Sequence, residues 1–163
     1  MMSGRLLSWC SVVGCCAACA PAADNGGPCG PPIAHVSRAI DGDTVELGSG
    51  ERLRYLLVDT PETTGAAECF GEQAAGYNRA LVENRDVSLA YDVVCRDAYE
   101  RLLAYVTVGA VDVNRRLVEL GYACVLYIPP AGESRVQELS AAQEQARALG
   151  HGLWSACSAS VCE

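Results

Sequence analysis

With 163 residues, half of them apolar, the chain is long enough for one domain with its own hydrophobic core plus short appendages. Twelve arginines, no lysine and twenty acidic residues leave a net charge of −8. This excludes a protein that coats nucleic acid through many cationic contacts, so any nucleic-acid chemistry must be local, through a bound divalent cation and a few placed arginines.

Residues 1–20 carry one cation, Arg5, and then an apolar run over 6–20 that is too short to span a bilayer as a helix, which reads as an export leader. Val12-Val13-Gly14-Cys15 resembles a bacterial lipobox, which would make Cys15 a lipidated mature N-terminus, with Cys19 as a second candidate. Ordinary cleavage near Ala20 is the alternative. The chain is thus expected to be exported: secreted, periplasmic or tethered to a bacterial membrane by a lipid. Residues 21–32, rich in Pro, Gly, Ala and Asn, read as a flexible tether.

The folded unit is expected over 33–157, with a tail at 158–163. Apolar runs separated by turn signals predict strands over 36–40, 44–47 and 52–58, joined through Asp-Gly and Gly-Ser-Gly turns. Helical spacing of Phe70, Ala74, Tyr77 and Leu81 predicts a helix over 68–84. Strands follow over 86–91 and 102–108. Asp112 is placed to cap a second helix that buries Val113, Leu117 and Leu120 and stops at Gly121. A third turns Val136, Leu139, Ala142, Ala146 and Leu149 inward and ends at Gly150. The order is compatible with an α+β, predominantly β fold: a five-stranded OB-type Greek-key barrel with three helices.

Beyond the leader lie six cysteines, Cys29, Cys69, Cys95, Cys124, Cys157 and Cys162. An even count in an exported chain favours disulfides, whose pairing spacing does not choose. A zinc site is disfavoured because no Cys-x-x-Cys pair follows the leader.

Two acidic segments carry the chemical signal, Asp41-Gly42-Asp43-Thr44 and Asp59-Thr60-Pro61-Glu62. Each alone is an ordinary turn. Together they bring carboxylates near Arg54 and Arg101, and calcium favours hard oxygen ligands of the kind Asp43 and Asp59 supply, completed by a carbonyl and water. Phosphodiester hydrolysis needs an activated water, a grip on the phosphate and compensation of developing charge. Glu62 is suited to orient or deprotonate water, and Arg54 and Arg101 to hold phosphate oxygens bidentately.

Ala39-Ile40-Asp41-Gly42-Asp43-Thr44-Val45 and the run from Arg54 to Thr63 resemble two signatures of the staphylococcal nuclease (thermonuclease) family. Asp97-Ala98-Tyr99-Glu100-Arg101, Val113-Asn114, Gly121-Tyr122-Ala123 and Gly152-Leu153-Trp154 extend the resemblance. It implies an OB-fold barrel and calcium-dependent cleavage of DNA and RNA that leaves 3′-phosphates. It further implies calcium at Asp43, Asp59 and the carbonyl of Thr60, with Asp41 secondary. Glu62, Arg54 and Arg101 take the catalytic roles, and Tyr99 and Tyr127 line a nucleotide pocket. The expected partner is nucleic acid, met by a monomer; the alternative is a non-catalytic OB-fold module that binds nucleic acid or another ligand. Departures from the family pattern are a shorter, lysine-free loop after Thr63, Ala98 and Glu100 before Arg101, and Pro129 in place of a pocket tyrosine. Weaker substrate capture around an intact centre is the expectation. A Cys69–Cys95 disulfide, each cysteine beside a functional loop, would tie the shortened loop to the barrel.

Overall fold

In the computed structural model of the chain, residues 28–158 and residue 162 are described. The leader and its lipidation candidates Cys15 and Cys19 lie outside the described residues. Strands β1 (Ile33–Ala39), β2 (Thr44–Leu47) and β3 (Arg52–Tyr55) form an antiparallel meander. Helix α1 (Gly71–Val82) follows, then β4 (Asp86–Arg96) and β5 (Leu102–Val108). A two-residue β6 (Val111–Asp112) leads into α2 (Val113–Glu119), and α3 (Val136–Leu149) and α4 (Leu153–Ala156) complete the fold.

The sheet order is β3-β2-β1-β4-β5-β6, and a parallel pairing of β3 with β5 joins its ends. The first five strands therefore close into the small OB-type barrel that the sequence pattern predicts, and closure removes the exposed edges an open sheet would leave. Val36, Val45, Leu53, Leu102 and Val106 alternate inward to fill it, each essentially inaccessible to solvent.

Several details differ from the sequence expectation for local reasons. The predicted strand over 52–58 ends at Tyr55, because Leu57 takes a left-handed backbone (φ 60°) that turns the chain out of the sheet. Strand β4 runs on to Arg96 through a register shift between Tyr91 and Arg96, beyond the end set by apolar alternation. Leu149, expected inward on α3, is 61% exposed at the last helical turn, while Leu139 and Ala146 carry the buried face. Residues 28–32, which composition assigns to the tether, dock on β4. Leu89 N–H donates to the Pro32 carbonyl (2.8 Å) and Tyr91 Oη–H to the Pro31 carbonyl (3.0 Å).

Among the described residues three disulfides fasten the periphery: Cys29–Cys95, Cys69–Cys157 and Cys124–Cys162. The expected Cys69–Cys95 pair does not form. Cys95 at the end of β4 meets the docked N-terminal segment, and the loop before α1 is tied instead to the residue after α4.

A fully buried amide fixes the barrel to its continuation. Asn114 Oδ1 accepts from the Val106 N–H (2.8 Å), and its Nδ2 donates to the Leu56 carbonyl (2.8 Å). Removing that side chain strands two buried backbone groups, each costing about 1–3 kcal/mol. Asn114→Ala is expected to destabilise the fold by roughly 3 kcal/mol, read as a lowered guanidinium midpoint with an unchanged slope.

Candidate active site

The turn between β1 and β2 is organised by Asp41, whose Oδ1 accepts from the backbone N–H groups of Asp43 (3.0 Å) and Thr44 (2.7 Å). Asp41 is thus spent on shaping the turn. Gly42 is needed there, since a Cβ would lie 2.6 Å from the Thr60 side chain. That close approach brings the two acidic segments together. From the helical side, Asn78 of α1 donates to the Asp41 carbonyl (2.8 Å) and accepts from the buried Tyr55 hydroxyl (2.9 Å).

Asp43 is almost fully buried. Its Oδ1 accepts from Arg54 Nη1 (2.7 Å) and the Thr44 hydroxyl (2.9 Å), and its Oδ2 from the backbone N–H (2.9 Å) and hydroxyl (3.2 Å) of Thr60. Burial pushes the Asp43 carboxyl up to about 6, opposed by Arg54 and reinforced by the nearby charge of Asp41. Arg54 leaves β3 with its other terminal nitrogen on Asp59 Oδ1 at 2.5 Å and on the Val58 carbonyl at 3.3 Å. Its burial works against the charge, but Asp43 and Asp59 outweigh that and hold the guanidinium above its ordinary range. One arginine therefore bridges the two carboxylates.

Asp59 is held from behind by backbone bonds to Cys124, with its N–H donating (2.9 Å) and its carbonyl accepting (2.8 Å). Its side chain is half exposed. The Glu62 side chain is exposed, while its backbone is clamped by Glu68, which accepts from the Glu62 N–H (3.0 Å) and donates to its carbonyl (2.8 Å). Gly71, at the start of α1, lets the helix abut this segment, because a Cβ would sit 2.6 Å from the Glu62 carbonyl oxygen.

Beside the cluster lies a cleft of about 320 Å³, with Arg54, Arg96, Tyr99 and Arg101 among its walls and an otherwise largely apolar lining. Arg101 points its Nε and Nη2 at Asp97 Oδ2 (2.7 and 2.6 Å) and lies over the Tyr99 ring at 5.3 Å. Asp97 Oδ1 accepts from the backbone N–H groups of Tyr99 and Arg101. Despite partial burial, those bonds from Arg101 and Tyr99 hold the Asp97 carboxyl below its usual range. Tyr99 is 81% exposed at the rim.

The structure thus brings Asp41, Asp43, Arg54, Asp59 and Thr60 into one bonded cluster, and sets Arg101 and Tyr99 along the cleft that Arg54 also lines. Glu62 and Tyr127 do not line that cleft, and the Tyr127 hydroxyl instead pairs with Glu133. Sequence reading gave no role to Asp97, Asn78 or Arg96. Asp97 was visible as the first residue of the motif ending in Arg101, and its i, i+4 spacing to that arginine was the available signal.

Among the described residues no group of three or more His, Cys, Asp or Glu side chains gathers around a common point. What the cluster offers a cation is two carboxylates converging on one guanidinium, with the Thr60 backbone beside them. That is a hard-oxygen set that suits calcium if water completes the shell, and it offers no soft ligand for zinc or copper.

Fold and site together define a small OB-type barrel that carries a carboxylate–arginine centre between the β1–β2 turn and the segment after β3, with a cleft containing three arginines beside it. Residues 52–156 match the model of the family described as staphylococcal nuclease homologue, and the chain belongs to that family. It is 36% identical over 127 residues to endonuclease YncB of Bacillus subtilis (strain 168), covering 74% of this chain and 60% of that protein. The SPbeta prophage-derived endonuclease YokF of the same organism is 35% identical, with 74% of this chain and 43% of YokF covered. The thermonuclease of Staphylococcus intermedius is 34% identical over 125 residues, covering 73% of this chain and 74% of that one. The chain therefore spans less than two thirds of each of the two Bacillus endonucleases.

Proposed function

We propose that this chain is a nuclease that hydrolyses phosphodiester bonds of DNA, RNA or both, dependent on calcium and leaving 3′-phosphates. The observation that carries the reading is the single guanidinium of Arg54 shared by Asp43 and Asp59, facing a cleft that also holds Arg101. Asp43, Asp59 and the Thr60 carbonyl would hold the cation, which supplies charge compensation at the phosphoryl oxygens. Arg54 and Arg101 grip the phosphate, pre-aimed by their carboxylate partners, so little reorganisation is needed as charge develops. Glu62, on a backbone fixed by Glu68, orients or deprotonates the attacking water. Tyr99 offers an exposed ring face to a base.

The test is to incubate the chain with single-stranded DNA and with RNA, in calcium and in chelator. Calcium-dependent cleavage with 3′-phosphate ends is expected. Binding without cleavage under any divalent cation would favour the alternative, a non-catalytic OB-fold binding module. Export fits the same reading, since disulfides persist in oxidising compartments. A lipid tether at Cys15 or Cys19 and a monomeric state complete the proposal, to be read from intact mass and light scattering.

The raised pKa of Asp43 gives calcium binding a pH signature. Its folded value, about 6, lies above the ordinary 3.8, so the metal-free fold binds this proton before the unfolded chain does. From this group alone, metal-free stability rises as pH falls from about 7 towards 4, whereas calcium requires the carboxylate. The increase in Tm that calcium produces at pH 8 is therefore expected to shrink below pH 6 and vanish near pH 4.5. Equal increments at pH 8 and pH 5 would remove Asp43 from the calcium site.

A further inference from the structure

Three arginines line the cleft, Arg54, Arg96 and Arg101, and each carries a carboxylate partner. Their pairings differ in how readily a phosphate could displace them. Arg54 is 17% exposed and locked between two carboxylates. Arg101 is 23% exposed and chelates Asp97 through two nitrogens. Arg96 holds Glu51 Oε1 at 2.5 Å and the Glu100 carbonyl at 2.8 Å, and both charged side chains are about 40% exposed. Water screens an exposed pair of this kind, so exchanging its carboxylate for a phosphate costs little.

The backbone under Arg96 is nevertheless anchored on both sides. It pairs with Leu102 across β4 and β5, and the preceding residue, Cys95, is bonded to Cys29. The guanidinium is therefore a well-placed cation whose partner is open to water, in a chain that has no lysine. Building on the nuclease reading, we propose that Arg96 is a third phosphate-binding residue, taking a backbone phosphate of single-stranded nucleic acid next to the one gripped by Arg54 and Arg101, with Glu51 as its built-in competitor. Binding exchanges the Arg96–Glu51 pair for an Arg96–phosphate pair and releases the Glu51 carboxylate to water. Substrate capture in an acidic protein is thereby confined to the cleft and kept modest.

The assignment is tested with a fluorescein-labelled single-stranded oligodeoxynucleotide, by anisotropy in chelator over a range of salt concentrations and by steady-state cleavage in calcium. Arg96→Gln is expected to weaken binding about 5–10-fold, to place the loss in KM more than in kcat, and to reduce the slope of log affinity against log salt by about 0.7. Arg96→Lys should recover much of the affinity, because it restores the charge. Glu51→Gln should tighten binding several-fold by removing the competitor. If the unaltered protein binds and cuts the oligonucleotide while Arg96→Gln matches it in affinity, KM and salt slope, or if Glu51→Gln weakens binding, the Arg96 assignment is overturned and the nuclease reading stands. If the unaltered protein neither binds nor cuts it, both are overturned.

Discussion

Glu62→Gln is expected to lower kcat for calcium-dependent cleavage by roughly 10²–10⁴-fold, the range typical of losing a general base or water-orienting group, while leaving the unfolding midpoint nearly unchanged. The two halves of the expectation come from different observations. The Glu62 side chain is exposed, and what holds the segment is its backbone, bonded to Glu68 in both directions. Glutamine keeps those bonds and the side-chain shape but cannot take a proton. A surface change of this kind typically shifts stability by no more than about 0.5 kcal/mol. Arg54→Gln must behave differently. It removes a phosphate grip, and it also leaves the buried Asp43 carboxylate without its cation, a loss of about 3–5 kcal/mol for a broken buried pair. Activity and stability should therefore fall together for Arg54 and separately for Glu62. If Glu62→Gln retained full activity in protein that cleaves with calcium, the water-activating role would have to move to another residue.

Which parts of this could be read from the chain alone follows from the range of the forces involved. The strands at 44–47 and 102–108 and the caps at Asp112 and Gly150 were legible because alternation, side-chain capping and left-handed glycine act within a few residues. The end of β3 was not, because Leu57 adopts a positive φ against local preference, within a turn that returns Asp59 to the backbone of Cys124. The acidic segments were recognised from their motifs, yet the division of labour inside them was not. Asp41 organises its turn through two backbone N–H groups, and only the fold places the oxygens of Asp43 and Asp59 on opposite nitrogens of one arginine. Disulfide pairing belongs to the same class of unknowns. Cys69 and Cys95 looked like partners because both flank functional loops, but each bonds to a chain end brought near by tertiary structure.

Those chain ends make reduction the second large perturbation. The three bridges join residues 66, 88 and 38 apart in sequence, and the intervals overlap in succession, so the cross-links interlock along the chain. Closing loops of these sizes is worth about 4 kcal/mol each in the chain-entropy account, with less than additive gains for overlapping loops. Total stabilities of small domains are about 5–15 kcal/mol, so full reduction should remove most of the margin. A reduced, alkylated sample is expected to show a guanidinium midpoint lowered by more than half, against the oxidised protein at the same pH. The effect should also reach the site before the fold is lost. Cys69 sits between Glu68, which clamps Glu62, and the start of α1; Cys124 carries the backbone partner of Asp59; Cys95 precedes Arg96 and Asp97. Cys69→Ser with Cys157→Ser, which opens only the bridge nearest Glu62, should therefore reduce kcat at temperatures where circular dichroism still reports a folded barrel. An unchanged kcat in that double variant would mean that the Glu68 clamp holds Glu62 without covalent help, leaving the bridge a purely global contribution to stability.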